Sequence, residues 1–235
     1  MSVLAALLVV VAALASGAGW LADQHPTWNA PISSADRYSQ ASFDRWLAED
    51  PGRRDAFTEF DRLLTKQGVS GIVPSWQLLR TDVNDRIGCL RPAFLLPERK
   101  MWGNIVPTLR LLKQHVIPVI GPVEVVSSFR TVAFNACVNG AGQSRHLSFS
   151  AIDLVARSER SNRELFQALC ALHDKLGPAS RFGLGAYFDP KSDGQNRHGR
   201  FHVDATGYRT WGFSKRAGSS GCRLLASTSV PSSSL

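Results

Sequence analysis

The chain contains four cysteines but no Cys-x-x-Cys pair. That argues against a structural zinc knuckle, which draws ligands from such closely spaced pairs. Runs of Lys or Arg are also missing. The 27 basic residues are scattered among 19 acidic ones, so nothing resembles a nucleic-acid-binding arm and no nucleic-acid partner is expected. There is no internal repeat, which argues against solenoid and propeller architectures. Charge is modest at 20% against 44% hydrophobic residues, so long disorder is not expected outside the termini. Before Arg37 there is no Lys or Arg at all.

What is present begins with an apolar run, Val3 to Ala15 (VLAALLVVVAALA). It ends in Ala13-Leu14-Ala15, a small-x-small cleavage signature, so the mature chain is expected to begin near Ser16. The apolar stretch continues through Gly17, Trp20 and Leu21. An uncleaved membrane anchor, which needs about 20 apolar residues, is the alternative. Either reading puts the remainder outside the cytoplasm: periplasmic or secreted, with membrane anchoring through the N-terminal segment as an option. The four cysteines, Cys89, Cys137, Cys170 and Cys222, then suggest two disulfides. Three pairings exist and sequence does not choose among them. Cys89–Cys137 with Cys170–Cys222 is the preferred one, and four buried thiols are the alternative. The net charge of +8 favours polyanionic partners such as anionic lipid or an anionic cell wall, or simply aids solubility.

The 235 residues suffice for one good-sized domain with appendages. Residues 16–41, polar with Pro26 and Pro31, read as a linker. Phe43, Trp46 and Leu47 share one helical face, and Phe57, Phe60, Leu63 and Leu64 mark a second helix ending near Gly68. Residues 42–100 are thus expected to form a mostly helical N-terminal segment. Ile105, Leu109, Leu112 and Val116 predict a helix over 102–116. The β-branched stretch Pro122–Ser127 predicts a strand. Ala133–Val138 reads as a short helix, and Ala151–Val155, Gly183–Phe188 and Arg200–Ala205 as strands. Ser161-Asn-Arg-Glu164 is a capping box that opens a helix closed by Gly177-Pro178. Helices without regular β-α-β alternation imply an α+β domain over 101–215, a small antiparallel sheet with flanking helices. Residues 216–235, rich in Ser, read as a flexible tail.

His146 and Asp153 are seven residues apart, a spacing that fits a loop entering a strand rather than one helical turn. His202, in Phe201-His202-Val203-Asp204, is the obvious third partner. Two imidazoles and one carboxylate leave a coordination position open, as in catalytic zinc sites. The flanking residues add to this. Ser144-Arg-His146-Leu-Ser-Phe-Ser-Ala151-Ile-Asp153 resembles the SxHxxGxAxD signature of the zinc D-Ala-D-Ala carboxypeptidase family. The wider superfamily includes vancomycin-resistance dipeptidases and phage endolysins. Four of the five fixed positions match, and the fifth, glycine in the family, is Phe149. Ser127-Ser128-Phe129-Arg130 resembles the family's SGYR element. Phe201–Asp204 with Gly207–Trp211 resembles its closing strand.

The resemblance spans residues 120–212. It implies zinc held by His146, Asp153 and His202, with a zinc-activated water attacking D-Ala-containing peptidoglycan stem peptides. Arg130 would bind the substrate carboxylate or the developing oxyanion, and Ser144 would donate a hydrogen bond to substrate. Many relatives carry an acid three residues before the last His, a position that is Gly199 here. His198 is then the candidate general base, with Asp193, Asp189 and Asp204 nearby. Phe149 in place of glycine is expected to narrow the site or to change how the strand packs. The missing acid leaves a non-catalytic cell-wall-binding module of the same fold as the alternative. A docking helix pair within 42–100 would suit an envelope scaffold.

Overall fold

The structure, a computed structural model, describes residues 36–83, 88–191 and 199–228. The expected export segment, most of the linker, Asp193, His198 and the last seven positions lie outside the described residues.

Helix α1 (Gln40–Ala48) starts where the Ser39 hydroxyl accepts the Ser42 amide, and α2 (Pro51–Lys66) where the Asp50 carboxylate accepts that of Gly52. Each side chain satisfies an amide that a helix start leaves unpaired. Pro51, with its preset φ, fits the first turn of α2. The two helices bury Phe43, Phe60 and Leu64 against the rest of the domain. A 3₁₀ stretch, Arg99–Ile105, leads into α3 (Val106–Leu111). The helix does not stop at Val116 as expected. A π turn over Leu112–Val116 carries it into α4 (Ile117–Ile120). Pro118 cannot donate the backbone bond an α-helix would require, and the wider turn before it accommodates that loss. Among the described residues, no helix is long and apolar enough to cross a membrane.

Five strands form one sheet: β1 (Val123–Ser127), β2 (Ala151–Ala156), β3 (Gly183–Gly185), β4 (Phe201–Asp204) and β5 (Arg209–Trp211), in the order β1-β2-β4-β3-β5. The expected sheet was antiparallel; the observed one is mixed, because β3 and β5 run parallel. The short turn after β4 reverses the chain, and β3, itself antiparallel to β4, lies between them. Helix α5 (Val132–Cys137) follows β1. Helix α6 (Asn162–Leu176) opens with the anticipated capping box and buries Leu165, Phe166, Leu169 and Leu172. Both disulfides join the preferred partners, Cys89 to Cys137 and Cys170 to Cys222. The second explains a departure from expectation. The stretch read as a flexible tail contains a helix, α7 (Gly221–Thr228), held to α6 by that disulfide and by buried Leu225.

Candidate metal centre

Strand alternation sends Ile152 and Leu154 of β2, and Phe201 and Val203 of β4, into the hydrophobic core. Asp153, His202 and Asp204 consequently lie on the other face. Asp153 and His202 are register partners across the β2–β4 ladder, the spacing at which opposed side chains meet. His146 arrives from the 3₁₀ turn Arg145–Ser148 just ahead of β2. The turn ends at Phe149, whose φ of 55° and ψ of 37° are left-handed. That backbone favours glycine, which accounts for the glycine in the family signature. The Phe149 side chain is fully buried among apolar residues, its ring 5.9 Å from that of Phe60 and 6.4 Å from that of Phe129. Of the two expectations for this ring, that it narrows the site is therefore corrected: it packs in the core and ties the turn carrying His146 to α2.

One ligand atom from each of His146, Asp153 and His202 lies within 4.8 Å of the other two, and all three residues are buried. Their remaining polar atoms are occupied. His146 Nδ1 donates to the Ser128 carbonyl at 2.5 Å. His202 Nε2 donates to Asp204 Oδ2 at 3.1 Å. In the neutral rings these partners set the tautomers, so His146 Nε2 and His202 Nδ1, 3.0 Å apart, are the atoms that carry lone pairs. Asp153 Oδ1 lies 3.2 Å from the first and 2.9 Å from the second. Three electron-pair donors thus converge on one point and call for a cation between them. The set fits a metal ion, with each ligand oriented by a second hydrogen bond, as at known metal sites.

The other oxygen of Asp153 meets two guanidiniums. Arg130 and Arg200 each donate to Oδ2 at 2.7 Å. Arg200 also grips Asp82 through both of its terminal nitrogens, at 3.1 and 2.8 Å. Burial opposes ionisation of Asp153, but His146 and Arg200 hold its carboxyl well below the usual range. Burial, reinforced by Arg130, pushes His146 down to about 4, which keeps it neutral and ready to ligate. Burial lowers His202, but the carboxylates of Asp153 and Asp204 outweigh it and shift the ring upward, so a metal ion at Nδ1 would compete with the proton that Asp153 favours there. Asp204 also accepts from Arg209 and Thr206 and is held low by His202.

Ser144 lines the cleft beside the centre, as does Arg130. Arg130 is more committed than expected, since its terminal nitrogen already bonds Asp153 and Ser127. Its Nε is buried without a hydrogen-bond partner among the described residues. Gly199 has φ +59°, and a Cβ there would stand 2.9 Å from Asn162 Oδ1 and Leu165 Cδ2. An acid at that position would strain the left-handed backbone and displace the ends of Asn162 and Leu165. Asp189 caps its own turn by accepting the Lys191 amide at 2.9 Å. Asp204 orients His202.

Three participants escaped the sequence reading. Arg200 sits two residues before His202, so period-2 alternation puts it on the same face; that signal was available. Asp82 carried no local signal, because it reaches the centre only through folding of a distant segment. Tyr187 lines the cleft, with room made by Gly185: a Cβ there would lie 2.9 Å from the phenol oxygen and 2.7 Å from His202 Cβ. Trp211 hydrogen-bonds Tyr187, and burial together with the charge of Asp153 pushes the phenol up to about 12. It therefore stays protonated near neutral pH.

Residues 78–179 match the family model described as Peptidase M15, the superfamily of the zinc D-Ala-D-Ala carboxypeptidases. No curated protein and no solved structure matches the chain. The matched stretch contains Asp82, Arg130, Ser144, His146 and Asp153 and ends before His202. The last ligand therefore rests on the geometry, which sets His202 opposite Asp153.

Proposed function

We propose that this protein is a zinc metallopeptidase that hydrolyses peptide bonds next to D-Ala in peptidoglycan stem peptides, acting outside the cytoplasm. The observation that carries the reading is the convergence of His146 Nε2, Asp153 Oδ1 and His202 Nδ1 with tautomers that leave lone pairs inward. The peptidase-family match and the signature around His146 support the substrate class. Zinc, when bound by these three residues, supplies a Lewis acid for a peptide carbonyl and lowers the pKa of water. The chain's own residues do the rest. Ser128 and Asp204 hold the two imidazoles in the ligating tautomer. Arg130 and Arg200 neutralise Asp153 on its far oxygen, leaving one oxygen for the metal. Tyr187, protonated and half-buried, offers a hydrogen bond to negative charge developing on the substrate oxygen. His198 remains the proposed base.

Gly199 favours one competing reading, a zinc-dependent cell-wall-binding module, because a glycine stands where many relatives carry an acid. Mass spectrometry of muropeptides incubated with the zinc-loaded protein separates the two. Release of D-Ala, or cleavage beside it, supports the peptidase. One bound zinc with every D-Ala-ending muropeptide left intact from about pH 5 to 9, the range in which histidine and zinc-associated water titrate, replaces it with the binding module.

A further inference from the structure

The centre opens into a cleft of about 450 Å³. Its lining includes Val138, Gly140, Ala141, Ser144 and Arg145 from the segment between α5 and β2, and Arg209, Trp211 and Lys215 from β5 and the turn after it. Among the described lining residues four are Arg or Lys, counting Arg130, and none is Asp or Glu. The four differ in their countercharge. Arg130 faces Asp153 at 2.7 Å and Arg209 faces Asp204 at 2.6 Å. Lys215 donates to the carbonyl of Asn139, a neutral group. The Arg145 guanidinium has no ion pair or hydrogen bond with any described residue. Both side chains are exposed, whereas His146 and His202 are buried. The cleft's lining therefore includes two exposed cations that face no carboxylate among the described residues.

Such an arrangement raises the local concentration of anions. A guanidinium also suits a carboxylate, which it can bind through two parallel hydrogen bonds. We propose that Arg145 and Lys215 form an anion subsite at the mouth of the cleft, and that the preferred substrate is a peptide carrying a second free carboxylate outside the scissile amide. The substrate assignment rests on the peptidase reading above; the subsite does not. With Arg130 and Arg209 already paired to Asp153 and Asp204, only two lining cations remain for a ligand, which fits a peptide with one side carboxylate better than a continuous polyanion.

The test uses two stem-type pentapeptides ending in D-Ala-D-Ala. They differ only at the α-carboxylate of a γ-linked D-glutamate, free in one and amidated in the other. Binding to the zinc-loaded full-length protein is followed by tryptophan fluorescence, since Trp211 lines the cleft, and hydrolysis by mass spectrometry. The free acid should bind about three- to tenfold more tightly, the scale of one or two exposed charge pairs. Added salt should shrink that preference. The double variant Arg145→Gln/Lys215→Gln should lose it with zinc content intact, and Arg145→Glu should reverse it. If the acid is cut, the discrimination should fall on KM. Equal binding of the two peptides, no binding of either, or a preference that survives in the double variant overturns the subsite. Selective binding of the acid with neither peptide cut keeps the subsite and sinks the peptidase reading instead.

Discussion

The two faces of the β2–β4 ladder share a backbone and differ in almost everything else. On one face Ile152, Leu154, Phe201 and Val203 are fully buried in the hydrophobic core. On the other, Asp153, His202 and Asp204 are nearly as buried but polar, and each is matched by partners at hydrogen-bond distance. Burial alone therefore does not define a core. The apolar face gains from removing carbon from water. The polar face bears a desolvation cost that only near-complete pairing offsets. The lesson is a division of labour. Core-face substitutions should change stability and leave metal binding alone, while site-face substitutions should change metal binding first.

The largest expected effect breaks the polar face outright. His146→Ala or His202→Ala should abolish tight zinc binding, because a catalytic zinc seldom has more than three protein ligands to lose. Metal analysis after dialysis checks this. Chelator should lower the melting temperature of the wild type, which loses a ligand that binds only the folded state, and leave the variants unmoved. Asp153→Ala is a harsher change. It also strips Arg130 and Arg200 of their shared carboxylate oxygen, so it should lower stability even without metal.

Phe149 offers the sharpest test of the apolar side. It stands in the metal loop yet belongs to the core. Phe149→Ala should cost about 3–5 kcal/mol of stability, as for other buried aromatics, with zinc stoichiometry intact at temperatures where the variant is folded. Phe149→Gly should be less damaging than the alanine variant by about 1 kcal/mol, since the left-handed backbone there suits glycine. Denaturant melts of the pair check the order. Equal losses would mean that the backbone relaxes out of the left-handed region once the ring is gone.

Asp82 tests how far the polar face extends. It comes from outside the sheet and reaches Asp153 through Arg200, which it holds with two hydrogen bonds, and through Arg130, which it faces at 3.8 Å. Asp82→Asn should weaken zinc binding by about 10- to 100-fold, the usual effect of losing an outer partner of a ligand. Competition with a chromophoric chelator measures this, and Asp82→Glu should restore part of it. Unchanged affinity would confine the functional face to the strands and the 3₁₀ turn.

How legible all this was in the sequence depended on distance along the chain. The β2 strand, the α6 capping box and the His146–Asp153 pair are local patterns, and each was read from neighbouring residues. His202 was reached by residue type and resemblance, and its place opposite Asp153 needed the sheet register. The parallel β3–β5 pairing was not legible, because nothing in either three-residue strand encodes which side of β4 it takes. Phe149 is legible only in part, for a related reason. Its type departs from the family pattern, but only the backbone angle shows that the family's glycine serves the turn. The ring itself packs into the hydrophobic core.

Tyr187 carries the smallest predicted effect and the finest test of the comparison, since it belongs to neither strand of the ladder. It reaches the site face because Gly185, the register partner of His202, has no side chain. The phenol contributes one hydrogen, and Tyr187→Phe removes that group while keeping the ring that packs beside Phe213, 5.9 Å between centroids. Stability should move little and zinc affinity not at all, since the phenol is not among the three converging donors. If the peptidase reading holds, turnover of a D-Ala-ending peptide should fall by about 10- to 100-fold with KM nearly unchanged. That is the pattern of a bond made mainly in the transition state, somewhat weaker than the loss of a full oxyanion-hole donor. A rise in KM at constant turnover would place Tyr187 in substrate binding instead. Loss of zinc would show that the phenol supports His202 across Gly185 and belongs to the polar face itself.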